Sequence, residues 1–285
     1  MVVTGANTGI GKETAIALAA LGATVVMTAR TRSKGEQALT DVKRRSRSDA
    51  VELGDLDLSS FTSIRAFAAW LLERHDRVDV LVANAGLILD TRRETAEGFE
   101  EMIGVNHLGH FLLTELLRER LVASAPARVV VLTSVAHRLA VTGLNRADLQ
   151  RTQSFEGFTA YAQSKLANVL FALELARRPD GTGVTVNAVH PGIINSHFGA
   201  DGDTGALGAV LSVVGRFVLR SPRSGARTSV LLASSTKPRI ASVTGGYFSH
   251  GRRWPPSGKA RSVEEARWLW AESERLVAAV STTPS

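Results

Sequence analysis

The stretch VVTGANTGIGKETA, residues 2–15, decides the fold. Gly5, Gly9 and Gly11 stand in the order G-x-x-x-G-x-G between an apolar β-branched run and a helix-forming one. Without a Cβ the chain can turn sharply there, and its backbone can approach a pyrophosphate closely. The following helix then points its free N–H groups and the positive end of its dipole at that pyrophosphate. The loop, with Asn7 and Ile10 between its glycines, is therefore a candidate dinucleotide cradle if it opens a βαβ unit. A tight turn that binds nothing is the bland alternative, and the rest of the chain decides between them.

That unit is present. TVVMTA (24–29), VDVLVAN (78–84), RVVVLTS (128–134) and VTVNAVH (184–190) are short, β-branched and apolar on both faces, as strands of a covered parallel sheet are. DLDLSS (55–60) marks the end of a further strand, with Ser59 and Ser60 as candidate N-caps. Helical patterns fill the intervals: GKETAIALAALG, SKGEQALTDVKRR, SSFTSIRAFAAWLLERH, EGFEEMIGVNHLGHFLLTELLRERL and FTAYAQSKLANVLF. The alternation predicts an α/β chain, a single-domain Rossmann fold over 1–285: a doubly wound, mostly seven-stranded parallel sheet with helices on both faces. Only MVVT precedes Gly5, which is short for a central strand. Either the strand is clipped or the native start lies upstream, and in the second case added residues are expected to raise stability.

Composition narrows the function. A chain of 285 residues with 44% hydrophobic and 21% charged content can bury one large core. Lys+Arg 34 against Asp+Glu 27 gives +7, but the arginines are scattered and not interleaved with aromatics, so no nucleic-acid partner is expected. The densest basic run, KRRSRS (43–48), falls where a helix ends and cations are favourable. With no cysteine, disulfides, thiolate nucleophiles and Cys-ligated metals are excluded. His107, His110, His137 and His190 show no metal-ligand spacing, so no metal is expected. His190 is expected to bond backbone at a strand end, and His107 and His110 to face the core or a partner helix. No leader and no apolar run of membrane-spanning length is visible, which predicts a cytoplasmic protein without an integral membrane segment.

Cofactor choice follows from the end of the second strand, MTARTRSKGE (27–36). An acid there would accept the ribose 2′-OH of NAD, whereas a basic residue receives the 2′-phosphate of NADP. No acid occurs before Glu36, and Arg30, Arg32 and Lys34 crowd the position. Arg30, directly after the strand, is best placed for a guanidinium fork on the phosphate, with Lys34 beside it. NADP(H) is the predicted cofactor.

In FTAYAQSKLANVLF (158–171) Tyr161 and Lys165 lie four residues apart on one helical face, with Ser164 and Asn168 beside them. A solvated face is the commoner fate of such a pair. A neighbouring ammonium would favour the phenolate and suit the tyrosine to proton transfer.

Together these pieces resemble the short-chain dehydrogenase/reductase family over nearly the whole chain. TGANTGIG resembles its phosphate loop, and Asp57–Leu58 the pair that contacts adenine. ANAG (83–86) resembles the family's NNAG, with Ala83 in place of the first Asn, so Asn84 and Gly86 carry over. GVNHLGHFLLT supplies Asn106, VLTSVAH supplies Ser134, YAQSK supplies Tyr161 and Lys165, and HPGIINS supplies Ile194 in the loop that closes over the nicotinamide. The resemblance implies that Tyr161 is the general acid or base and that Lys165 also holds the nicotinamide ribose. It further implies that Ser134 holds the substrate oxygen, while Asn106 interrupts its helix and positions water towards Lys165. The retinol-dehydrogenase-like branch, which includes WW-domain-containing oxidoreductases, is similar in GKETA, VNHLGHFLLT, SVAH, YAQSKLANVLF and the tail GGYFSHGRRWPPSGKARSVEEARWLW; neither a membrane anchor nor a WW module is expected.

The family implies a lid at about 193–222 and a homodimer or homotetramer, which apolar HFLLTELL permits. The apolar lid stretch ALGAVLSVVGRFVL and the residues between Ser134 and Tyr161 suit a hydrophobic carbonyl or alcohol substrate. Leu139, Leu144, Phe155 and Phe158 are candidate pocket residues. Two alternatives stay open: a non-catalytic NADP-binding regulator on the same fold, and a sugar-nucleotide epimerase, for whose larger C-terminal domain the chain has little room.

Overall fold

A computed structural model of the chain describes residues 1–178, 181–192 and 221–281. Seven strands run parallel: β1 (Val2–Val3), β2 (Val25–Ala29), β3 (Val51–Asp55), β4 (Val80–Ala83), β5 (Ala127–Leu132), β6 (Val184–His190) and β7 (Gly246–Ser249). β8 (Arg252–Trp254) folds back antiparallel on β7, and the sheet order is β3-β2-β1-β4-β5-β6-β7-β8. The seven-stranded expectation holds for the parallel part. The eighth strand comes from a hairpin in the tail, where His250 and Gly251 take φ values of 54° and 73° and reverse the chain. Exposed Arg252 and Arg253 on this last strand discourage pairing with another edge.

Helices cover both faces. α1 (Gly9–Ala20), α2 (Arg32–Ser46) and α7 (Pro222–Ser234) pack on one side, burying Leu18, Val42 and Leu232 against Val3, Met27, Val82 and Val130. α3 (Phe61–Arg74), the short α4 (Glu101–Ile103), α5 (Gly109–Ala123), α6 (Gly157–Arg177) and α9 (Val263–Ser281) stand on the other side, against Val2, Leu81, Val129 and Val186. Consecutive strand residues thus feed opposite cores, as the period of two requires. A single turn of helix, α8 (Pro238–Ala241), precedes β7.

β1 has only two residues, yet it is central. Val2 and Val3 pair with Val26 and Met27 on one side and with Leu81 and Val82 on the other. Because the order reverses between β1 and β4, a crevice opens beyond their carboxyl ends, where ligands bind in open α/β sheets.

Several boundaries moved for identifiable reasons. Of the two capping candidates before α3, Ser60 is the cap, accepting from the Ser63 N–H at 3.3 Å, while Ser59 donates its N–H and hydroxyl to Asp57. The helix expected from residue 97 starts at Glu101, because Gly98 turns at φ 82° and Glu100 caps, accepting from Met102 and Ile103 N–H at 2.9 and 2.8 Å. The KRRSRS run does close α2, and Arg45 pairs with Glu13 of α1 at 2.7 Å. HFLLTELL is consumed inside the chain: Phe111, Leu113 and Leu117 are buried in its own core, with Phe111 edge-on to Trp270 of α9.

Candidate active site

The crevice collects eleven of the predicted cofactor residues: Gly5, Asn7, Gly9, Ile10, Gly11, Arg30, Lys34, Asp57, Leu58, Asn84 and Gly86 all line it. Gly5 turns there at φ 61°. A Cβ on Gly11 would stand 2.4 Å from the Gly5 carbonyl oxygen and 2.5 Å from Asn84 Nδ2, so α1 reaches the strand ends only through glycine. Thr8, the N-cap of α1, makes no side-chain cap bond, and no acid occupies the first turn. The positive helix end is thus left for a ligand. Thr31, Ile88, Arg93 and Val105 also line the crevice. Ile88 and Arg93 carry no motif signal, whereas Thr31 sits within the basic run already singled out and Val105 within GVNHLGHFLLT.

The structure sorts that basic run. Arg32 turns away to Glu36 (2.9 Å) and Asp55 (3.2 Å), whereas exposed Arg30 and Lys34 face the crevice.

Beyond the glycines, Thr4 ties β1 to β4. Its hydroxyl accepts from the N–H groups of Asn84 (2.8 Å) and Ala85 (2.9 Å) and lies 2.9 Å from His110 Nε2. His110 Nδ1 lies 3.2 Å from the Asn106 carbonyl oxygen, an acceptor, which assigns the proton to Nδ1 and leaves Nε2 to accept from Thr4. Buried in this way, His110 is held neutral, its pKa pushed down to about 4. Asn84 Nδ2 donates to the Thr4 carbonyl at 2.8 Å, while its buried Oδ1 has no hydrogen-bond partner among the described residues.

Asn106 stands in a π-helical turn, Gly104–Leu108, between α4 and α5. Its Oδ1 accepts from Leu87 N–H at 2.8 Å, and its Nδ2 donates to the Leu87 carbonyl (3.0 Å) and to Ser164 Oγ (2.9 Å). This side chain therefore locks the loop after ANAG onto α6. The expected helix interruption is present, and both amide hydrogens and one lone pair of Oδ1 are used in making it.

The polar face of α6 is not solvated. Ser164, Lys165 and Asn168 are buried, and Tyr161 is half-buried. Ser164 donates to the Tyr161 carbonyl at 2.8 Å, Asn168 Nδ2 donates to Leu132 O at 3.1 Å, and Thr133 Oγ1 donates to Lys165 O at 2.8 Å. These bonds fasten the end of β5 to α6, so that Ser134 meets Tyr161: the phenol and the serine hydroxyl are hydrogen-bonded. Lys165 Nζ lies over the Tyr161 ring, 5.5 Å from its centroid.

One expectation needs correction here. Burial pushes the phenol up to about 12, the bond from Ser134 offsetting only part of this, and burial also brings the Lys165 amine down to about 8. In the cofactor-free protein desolvation is the largest effect on both groups. Tyr161 is neutral there.

Around this corner Ile88, Leu89, Met102 and Ala160 form a small apolar cluster with Phe155 and Phe158 packed on it beside Tyr161. Of the other pocket candidates, Leu144 is buried in the main core and Leu139 is exposed. Ile194 and the lid expected at 193–222, apart from its last two residues, lie outside the described residues. Among the described residues no group of His, Asp or Glu could hold a metal, and no helix is long and apolar enough to cross a membrane.

A doubly wound sheet with a glycine-rich turn opening its first helix at the switch point defines the dinucleotide-binding α/β class. Within that class the chain belongs to the short-chain dehydrogenase family, whose model matches residues 1–146. It is 44% identical over 283 residues to retinol dehydrogenase 13 of Homo sapiens, covering 97% of this chain and 84% of that protein. An uncharacterised Mycobacterium paratuberculosis protein of solved structure is similar at 34% identity and a TM-score of 0.75, over 97% of this chain and 92% of that one. The Pseudomonas aeruginosa RhlG/NADP active-site complex is similar at 27% identity and a TM-score of 0.68, over 87% and 93% of the two chains. Members of this family are oxidoreductases that use a nicotinamide cofactor. The uncapped helix start, the glycine cradle and the unpartnered Asn84 Oδ1 are a donor and acceptor set that such a dinucleotide fits.

Proposed function

We propose that this protein is an NADP(H)-dependent dehydrogenase/reductase acting on the carbonyl or alcohol carbon of a small hydrophobic substrate. One observation carries the reading: the Tyr161 hydroxyl is bonded to Ser134 and backed by Lys165 one helical turn away, beside a glycine-lined crevice. Arg30 and Lys34 at the crevice, with no acid between them, favour the 2′-phosphate of NADP over a free ribose hydroxyl. The apolar cluster next to Tyr161, and the likeness to a protein named for retinol, favour an apolar substrate.

NADP(H), when bound, supplies or takes up the hydride. Gly5, Asn7, Gly9, Ile10 and Gly11 would hold its phosphates, Asp57 and Leu58 its adenine, and Asn84 and Gly86 would stand beside its nicotinamide, all of them lining the same crevice. In the reducing direction Tyr161 donates its proton to the carbonyl oxygen as that oxygen gains charge. Ser134 steadies the same oxygen with a hydroxyl hydrogen bond. Lys165 then stabilises the phenolate left behind, a role for which its own buried position makes the charge costly until the phenolate forms. Asn106 acts on the site by fixing the Leu87 loop and α6 rather than by touching the reacting atoms with its amide. Ile194 belongs to the same reading as a nicotinamide contact.

The test is NADPH consumption against a panel of long-chain and ring-bearing aldehydes and ketones, with Tyr161→Phe in parallel. The expected result is turnover by the native protein and a fall in kcat of ~10²–10⁴ in the variant, with NADPH affinity retained. Tight NADPH binding with no carbonyl reduced would instead make the protein a cofactor-binding regulator.

A further inference from the structure

The peptide unit joining Ser134 to Val135 is held at both ends by histidines from different parts of the fold. Its carbonyl oxygen accepts from His137 Nδ1 at 2.6 Å and from the His137 backbone N–H at 3.2 Å. Its N–H, on Val135, donates to His190 Nδ1 at 3.2 Å. The partners assign both tautomers: His137 carries its proton on Nδ1, and His190 keeps Nδ1 free as an acceptor. Both rings are buried, and burial holds both pKa values below the ordinary histidine range.

The clamp reaches further. His137 Nε2 accepts from Ser257 N–H at 3.1 Å, its ring packs on Tyr247 of β7 with centroids 5.1 Å apart, and neighbouring Arg138 donates to the Pro255 carbonyl. The segment leaving the β7–β8 hairpin is thereby fastened to the turn that carries Ser134. His190 is the last residue of β6, so β6 takes hold of the same peptide.

We propose that His137 and His190 are positioning residues for Ser134, setting the direction of its hydroxyl towards Tyr161 and the substrate oxygen. This inference rests on the reading of Ser134 and Tyr161 given above. A hydroxyl has one proton and two acceptor sites. Ser134 Oγ spends one acceptor site on Ala136 N–H at 3.2 Å, which leaves its proton and one lone pair for the phenol and the substrate. That division holds only while the peptide plane is fixed. Rotation of the plane about the adjoining backbone bonds re-aims the turn that follows and carries the Ala136 N–H away from Ser134 Oγ, which frees the hydroxyl to leave Tyr161. Each histidine blocks the rotation from one side, which explains two neutral histidines spent on a single peptide.

The experiment compares His190→Phe and His137→Phe, which keep ring volume but lose the bond, with His190→Asn and His137→Asn. Asn places an oxygen or an N–H where each Nδ1 stands. Kinetics with NADPH and a carbonyl are read beside amide hydrogen exchange over residues 133–139. The Phe variants should lose about tenfold to a hundredfold in kcat, with the carbonyl KM and NADPH affinity within about twofold, and exchange faster at Val135. The Asn variants should recover most of the loss. If one Phe variant does not melt cooperatively, the other carries the test, since each removes half of the clamp. Native-like kcat in a folded Phe variant with faster exchange overturns the inference and leaves the proposed reaction standing. A native protein that binds NADPH but reduces nothing overturns the reaction, and the inference with it.

Discussion

Lys165 Nζ lies over the Tyr161 ring, 5.5 Å from its centroid, and burial moves both groups towards their neutral forms. Before the cofactor binds, the phenol is neutral at neutral pH, while the amine still carries most of its charge at a desolvation cost. The chain has two tyrosines, and burial pushes Tyr247 up to about 12 as well. Neither phenol should therefore titrate in the ordinary tyrosine range in the cofactor-free protein. On the proposed reading NADP⁺ would bring its positive nicotinamide ring near Tyr161, which should lower that phenol alone. Phenolate absorbance followed against pH, with and without NADP⁺ and in Tyr161→Phe, checks this. A downward shift that survives in Tyr161→Phe would contradict it.

The lysine carries a stability consequence of definite sign. Its pKa falls from 10.5 unfolded to about 8 folded, so the unfolded chain binds the extra proton between those values. Below about 8 the buried ammonium costs the full penalty, on the order of 3 kcal/mol, and the cost fades as pH rises towards 10.5. Lys165→Met should accordingly raise the melting temperature at neutral pH while losing turnover, and the stability gain should shrink in alkaline buffer. Thermal melts of both proteins across pH decide it; a variant less stable at neutral pH than the native protein would contradict the sign.

Arg30 and Arg32 make a controlled pair for cofactor preference. Both follow β2, but Arg30 borders the crevice while Arg32 is spent on Glu36 and Asp55. Arg30→Asp should weaken NADPH, remove its advantage over NADH and bring NADH forward as the better partner. Arg32→Ala should leave the preference alone and, because its exposed ion pairs are worth little, shift stability by less than ~1 kcal/mol. Binding titrations with both cofactors check the two variants side by side. An unchanged preference in Arg30→Asp would remove the case for NADP(H).

Much of this architecture was legible because it is local. The glycine spacing, the β-branched strands and the i, i+4 pairing of Tyr161 with Lys165 are each set by a few neighbouring residues. What the sequence hid is long-range. Nothing near His137 announces Ser257, 120 residues on, and nothing near Thr4 announces His110. The β7–β8 hairpin hid because its strands are four and three residues long and Arg252–Arg253 breaks the apolar alternation. Desolvation of Tyr161 hid for a similar reason: the spacing on α6 shows the neighbouring charge, whereas burial depends on how the whole corner packs.

Gly86 offers the sharpest steric test of that corner. A Cβ there would lie 2.9 Å from Asn106 Oδ1 and 2.9 Å from Lys165 Nζ. The asparagine has no room to yield, since Leu87 and Ser164 hold its amide at three points. The lysine amine is the flexible end, so the methyl group should displace it. Gly86→Ala is therefore expected to lose at least ~10-fold in kcat with a stability cost of only ~1–3 kcal/mol. Gly11→Ala should behave differently, because its Cβ would meet the Gly5 carbonyl oxygen at 2.4 Å and the backbone itself must shift. That variant should lose cofactor affinity first and melt lower. Steady-state kinetics, NADPH titration and thermal melts of the two variants separate the cases. Full kcat in Gly86→Ala would mean that the amine need not stand where it does for the reaction to proceed.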